Sequence, residues 1–189
     1  MELKNKVAVV TGGAHGIGRA LCRALHIEGV QVAVTDLDID AAEKVAAEID
    51  GMALRVDVSQ EQEICSAVER IESELGPIDI FVSNAGITFG DGQNGAASAP
   101  DEHWRASLDV NLMAHVYAAR VMVPLMVERG GGCLVNVASA AGLLNQIDDA
   151  ANTTSCSARI TSRCPPRITS TPTARPSSII TRWANACTT

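Results

Sequence analysis

From residue 7 to about residue 137, short apolar runs alternate with longer stretches in which apolar residues recur every three or four positions. The runs, dominated by Val, Ile, Leu and Ala, predict five buried strands over 7–10, 31–35, 52–56, 78–82 and 133–137. Helical spacing fills the gaps. One helix is predicted over 17–28, with Ile17, Leu21, Ala24 and Leu25 on one face, and an Ala- and Glu-rich one over 40–49. Ser59, with Gln62 three residues on, reads as the cap of a third helix that Gly76-Pro77 stops. A last helix starts near Pro100 and runs, with a break, through Asn111 to Glu128, where Gly130-Gly131-Gly132 ends it. Apolar strands separated by amphipathic helices predict an α/β fold, a doubly wound parallel sheet with right-handed crossovers. The expected strand order is 3-2-1-4-5, incomplete at its C-terminal end, with the ligand crevice beside the first strand at the carboxyl edge.

Beyond residue 151 the pattern stops. All 22 acidic residues lie at or before Asp149, where ten basic residues oppose them; the last 38 residues hold five arginines, no acid and no lysine. Those residues also include 15 Ser or Thr, and Pro165, Pro166, Pro172 and Pro176 forbid a long helix or central strand there. The expected division is therefore a folded α/β unit over 1–151 and a Ser/Thr/Arg/Pro-rich irregular tail over 152–189. The abrupt change of composition reads as a reading-frame shift or an erroneous gene end. Aromatic residues make up only 3% of the chain, so the core must rest on Val, Ala, Leu and Ile.

Several chemistries find no support. The histidines at 15, 26, 103 and 115 show no metal-ligand spacing, so no metal is expected. Ser139 has no Gly-x-Ser-x-Gly elbow. The tail arginines are diluted among Ser and Thr, which argues against nucleic acid as a partner. No signal peptide and no run of membrane-spanning length is read, so no membrane partner is expected. Six cysteines without a CxxC pair read as reduced thiols in the cytoplasm. Residues 90–95 spell Gly-x-Gly-x-x-Gly, but they follow no strand directly and open no helix; they read as a loop.

The positive signal lies at the first strand's end. Thr11-Gly12-Gly13-Ala14-His15-Gly16-Ile17-Gly18 joins a strand to a helix, the context that gives a glycine pattern meaning. Such a turn lets backbone N–H groups approach a pyrophosphate, and the helix N-terminus adds partial positive charge. Asp36 stands 18 residues past Gly18 at the end of the second strand. A carboxylate there accepts both adenosine ribose hydroxyls and repels a 2′-phosphate. His15 is neither Arg nor Lys, and together these point to NAD over NADP.

Further spacings carry a resemblance: the glycine run at 11–18, Asp57 after the third strand, Asn84-Ala85-Gly86 after the fourth, Asn111 in the long helix and Ser139 after the fifth. Over about residues 5–151 the chain resembles the short-chain dehydrogenase/reductase family, with its Rossmann-like fold. The resemblance implies NAD-dependent hydride transfer on a small-molecule alcohol or ketone. It implies cofactor contacts at Gly12, Gly16, Ile17, Gly18, Asp36, Asp57, Val58, Asn84, Ala85 and Gly86, with Asp57 and Val58 against the adenine. It implies that Asn111 holds a water in a proton relay and that Ser139 hydrogen-bonds the substrate oxygen. It also implies a tyrosine thirteen residues after the serine and a lysine four residues later, where this chain has Asn152 and Cys156. The one tyrosine, Tyr117, lies upstream and reads as a packing or interface residue, and no lysine follows Lys44. An amide cannot act as the titrating acid or base, so impaired catalysis is expected. The alternatives are a non-catalytic NAD-binding module and a truncated or frame-shifted product without function. A homo-oligomer through the helix near 109–128 is the expected self-association.

Overall fold

The computed structural model describes residues 2–89 and 98–139. The loop pattern at 90–95, the tail and the positions Asn152 and Cys156 therefore lie outside the described residues.

Chain order is β1 (Val7–Thr11), α1 (Gly16–Ile27), β2 (Gln31–Asp36), α2 (Ile39–Glu48), β3 (Met52–Arg55), α3 (Glu61–Leu75), β4 (Ile78–Ser83), α4 (Asp101–Leu108), a π-turn (Asp109–Met113), α5 (Ala114–Glu128) and β5 (Cys133–Asn136). The five strands are parallel in the order β3-β2-β1-β4-β5, as the alternating pattern predicts. Side chains alternate across a strand, so β1 feeds two cores. Val7 and Val9 face the layer that holds Ile64, Ile71 and Met122, from α3 and α5. Ala8 and Val10 face the layer that holds Cys22 and Val45, from α1 and α2.

Local chemistry moves several boundaries. α2 begins one residue early because the Asp38 carboxylate accepts from Ala41 N at 3.0 Å and caps it. Ser59 does not cap α3. The cap position is Gln60, without a side-chain capping bond, because Asp57 Oδ1 captures both Ser59 N at 3.0 Å and Ser59 Oγ at 2.7 Å. In α1 the buried positions are Gly18 and Cys22, whereas Ile17 is 65% exposed. It sits in the first turn and lines the cleft at the strand ends, so periodicity alone misplaces it on the core face. The break expected near Asn111 is the π-turn.

The stretch Asp101–Glu128 reaches a mean hydropathy of 1.4 and is long enough to cross a membrane, unlike any run expected from the sequence. Its Ala114, Ala118, Met122 and Met126 are buried in the protein instead. Tyr117 packs half-buried against the α3 and α5 layer, with the Arg120 guanidinium 5.7 Å above its ring.

β1 and β4 are out of step at one place. Val7 pairs with Ile78 and Ala8 with Ile80, which leaves Asp79 as an extra residue. Its carboxylate takes over the missing ladder bond, accepting from Val7 N at 3.0 Å and from Lys6 Nζ at 2.8 Å. Substituting Asp79→Ala strands the Val7 N–H and is expected to destabilise the fold by about 1–3 kcal/mol. Asp79→Asn, which keeps an acceptor oxygen, should lose clearly less. Chemical denaturation of both variants checks this.

Candidate functional site

The carboxyl ends of β1, β2 and β4 surround a cleft of about 420 Å³. Its lining includes Gly12, Gly16, Ile17, Gly18, Asp36, Asp57, Val58, Asn84, Ala85 and Gly86, so ten of the expected positions meet in one place.

A hydrogen-bonded knot between β1 and β4 shapes the floor. Thr11 Oγ1 accepts from Asn84 N at 2.9 Å and Ala85 N at 3.1 Å, and donates to the Val82 carbonyl at 3.4 Å. The Asn84 amide donates back to the carbonyls of Thr11 at 2.9 Å and Gly12 at 3.2 Å. The chain then turns into α1 so tightly that a Cβ on Gly18 would lie 2.0 Å from the Gly12 carbonyl oxygen. Gly16 has φ +47° and faces open space, with nothing within 4 Å of where a Cβ would stand. No side chain caps α1, and no acidic residue occupies its first turn. Its free N–H groups and dipole are therefore open to an anion, and the residues present fit a pyrophosphate.

Asp36 closes the next wall. Its Oδ2 accepts from Ala14 N at 3.0 Å and its Oδ1 from Asp38 N at 3.2 Å. These bonds fix the carboxylate, and each oxygen keeps a lone pair for a ribose hydroxyl. His15 Nε2 lies 3.4 Å from Asp38 Oδ2 at the mouth. The Ala41 N–H, above all, holds the Asp38 carboxyl below its ordinary range, with help from His15. Asp57 is set by Glu63, whose carboxylate accepts from Asp57 N at 2.7 Å; Val58 beside it is buried.

Asn111 sits in the π-turn, 7% exposed. Its Oδ1 accepts from Ile87 N and its Nδ2 donates to the Ile87 carbonyl, both at 2.9 Å. The amide thus clamps the loop after β4, and a Cβ on Gly86 would stand 3.4 Å from Asn111 Oδ1. Val137 lines the cleft after β5, held by its N–H to the Ser83 carbonyl at 2.9 Å. Ser139, two residues on, is exposed and is the last of the described residues. Beneath the glycine turn, burial pushes the Cys22 thiol up to about 12, which makes it inert packing. Among the described residues no group of three or more metal-ligating side chains comes together.

Two contributors have no role of their own in the sequence: Thr11, which enters it only as the start of the glycine motif, and Glu63, whose one signal is that it is a carboxylate six residues after Asp57.

Thr11→Val keeps the shape of residue 11 but strands the N–H groups of Asn84 and Ala85. A loss of about 2–4 kcal/mol is expected in urea unfolding, at 1–3 kcal/mol for each unsatisfied group with partial relaxation. Thr11→Ser should retain most of the stability.

The family description "short chain dehydrogenase" matches residues 6–160. The chain is 36% identical over 148 residues to cyclohexanol dehydrogenase of Acinetobacter sp. (strain SE19), covering 76% of this chain and 58% of that one. It is 37% identical over 142 residues to 2-dehydro-3-deoxy-L-rhamnonate dehydrogenase (NAD(+)) of Sphingomonas sp. (strain SKA58), covering 72% and 55%. A solved structure described as a short-chain dehydrogenase from Novosphingobium aromaticivorans superposes with a TM-score of 0.76 at 30% identity, over 82% of this chain and 59% of that one. The chain thus spans a little over half the length of these relatives. The parallel sheet, the glycine turn knotted to β4 and the match over residues 6–160 have one origin: this chain belongs to the short-chain dehydrogenase family of oxidoreductases.

Proposed function

We propose that the cleft binds NAD in preference to NADP. The observation that carries the reading is the Asp36 carboxylate, fixed at the end of β2 by Ala14 N and Asp38 N. A 2′-phosphate brought to it would meet a negative charge, with Asp38 a second one close by. The other contacts follow the resemblance: the glycine turn and Ile17 at the pyrophosphate, Asp57 and Val58 at the adenine, Asn84, Ala85 and Gly86 beneath the rest. Residues 1–151 form the cofactor-binding unit on this reading, working in the cytoplasm, with copies pairing through the helix near 109–128.

When bound, such a cofactor exchanges a hydride with the carbinol carbon of an alcohol or with a ketone. Ser139 would hydrogen-bond the substrate oxygen, and Asn111 would hold a water that relays the proton. The proton also needs a titrating group at that oxygen. Residue 152 offers a carboxamide and residue 156 a thiol in place of the tyrosine and lysine that the resemblance implies. The chain accordingly binds cofactor and turns over poorly. The second reading, a non-catalytic NAD-binding module, draws on the same residues and requires no turnover at all.

Thermal unfolding of the full chain tests cofactor choice. NAD at a hundred times its Kd should stabilise the fold by about 2.7 kcal/mol, while NADP at equal concentration gives a clearly smaller shift. Equal shifts, or none, would overturn the reading. Impaired chemistry has its own test. Asn152→Tyr combined with Cys156→Lys should raise NAD-dependent alcohol oxidation by at least about 10²-fold, the usual lower share of acid–base catalysis. A double variant that binds NAD yet gains no rate would count for the non-catalytic module.

A further inference from the structure

His103, Ser107 and Asn111 follow one another at four-residue steps through α4 and into the π-turn, so they lie along one side of this helical stretch. That side meets the loop leaving β4 at two points. Asn111 grips the Ile87 backbone through its N–H and its carbonyl, both at 2.9 Å. Two residues further along the loop, Phe89 lies flat on the His103 ring, with centroids 4.3 Å apart and planes 12° from parallel. Ser107, between the two anchors on the helix, is fully buried.

The histidine takes part by its face and not by its nitrogens. Its Nδ1 is buried and has no hydrogen-bond partner. Such an orphan costs free energy, and the contact that offsets it is the one with the Phe89 ring. The stack also joins two thinly packed segments. No side chain caps α4, and Ser107 is the one residue that this helix buries. In the loop, Gly86 and Thr88 are exposed. At its inner end the same loop forms cleft wall, because Ala85, Gly86 and Ile87 all line the cleft.

We propose that Phe89 and His103 are a positioning pair for the cofactor cleft: their stack holds the outer end of the loop after β4 on α4, so that Asn111 closes on Ile87 and the wall from Ala85 to Ile87 keeps its place. The proposal rests on the reading that this cleft takes a nicotinamide cofactor. Neither ring lines the cleft. The pair acts through the three residues that do. It needs a flat ring at position 103 and not a titrating one, so phenylalanine serves there as well as histidine and leaves no orphan nitrogen.

NADH fluorescence titrations of the full chain at pH 7.5 test the pair, with Phe89→Ala, His103→Ala, the double alanine variant and His103→Phe alongside. Each single alanine variant should bind NADH roughly two- to tenfold more weakly, the worth of one aromatic pair. The double variant should bind no more weakly than either single one, because the contact is lost only once. His103→Phe should bind like wild type. Wild-type affinity in either alanine variant, additive losses in the double one, or a phenylalanine variant as weak as the alanine one overturns the proposal. A second measurement reads the clamp in the cofactor-free chain. NMR detects a scalar coupling across the hydrogen bond from Ile87 N to Asn111 Oδ1, which a change in overall stability leaves alone. It should shrink in both single alanine variants and keep its wild-type size in His103→Phe; a coupling unchanged in His103→Ala overturns the proposal. A wild-type chain that binds no NADH overturns the cofactor reading, and the coupling then decides the pair by itself.

Discussion

Everything at the ligand edge depends on one side-chain oxygen. Thr11 Oγ1 gathers the N–H groups of Asn84 and Ala85 where β1 and β4 both run out of ladder partners. This is the point where the winding of the sheet reverses, so the chains leaving the two strands diverge and open a crevice. A crevice with loose walls is of no use to a ligand. The hydroxyl, and the Asn84 amide returning to the Thr11 and Gly12 carbonyls, turn two divergent loops into one rigid floor. The glycine turn is then held open by bonds beneath it, with its upper side left to the ligand.

The same economy runs outward. Each wall residue is positioned by a backbone bond from a neighbouring segment: Asp36 by Ala14 and Asp38, Asp57 by Glu63, the loop after β4 by Asn111. At Asp36 the bonds do not use up the acceptor: a carboxylate oxygen with one N–H partner still accepts another donor, so the atoms that anchor this wall stay open to the cleft. The expected contact residues meet within residues 6–160, the stretch that matches the family.

Much of this was legible in the sequence, for stated reasons. Parallel pairing followed from apolar runs separated by helices, because a parallel pair demands a crossover, and the order from reading those crossovers as a doubly wound sheet. The glycine turn was legible because a Cβ at Gly18 has no room. The failures are competitions between local partners. Ser59 and Gln62 have the spacing of a cap, yet the Asp57 carboxylate, a stronger acceptor, reaches Ser59 first. Ile17 has the right period for a core face, but period does not reveal where the sheet beneath ends. The clamp of Asn111 on Ile87 joins residues distant in the chain, and no single-sequence pattern encodes it.

The π-turn has a consequence for how this long helix can change. It amounts to one residue more than an α-helical path needs. Excising any residue between Asp109 and Met113 would heal the hydrogen-bond ladder into one straight helix and, locally, improve it. The wider turn already absorbs the rotation of that extra residue, so the excision would leave α4 and α5 in nearly the same phase. Ser107 on one side and Ala118, Met122 and Met126 on the other are buried now, and they would stay so. The irregular turn is thus a place where the helix stores a residue without turning either half away from the core, and what a repaired ladder would cost is the placement of Asn111 against Ile87.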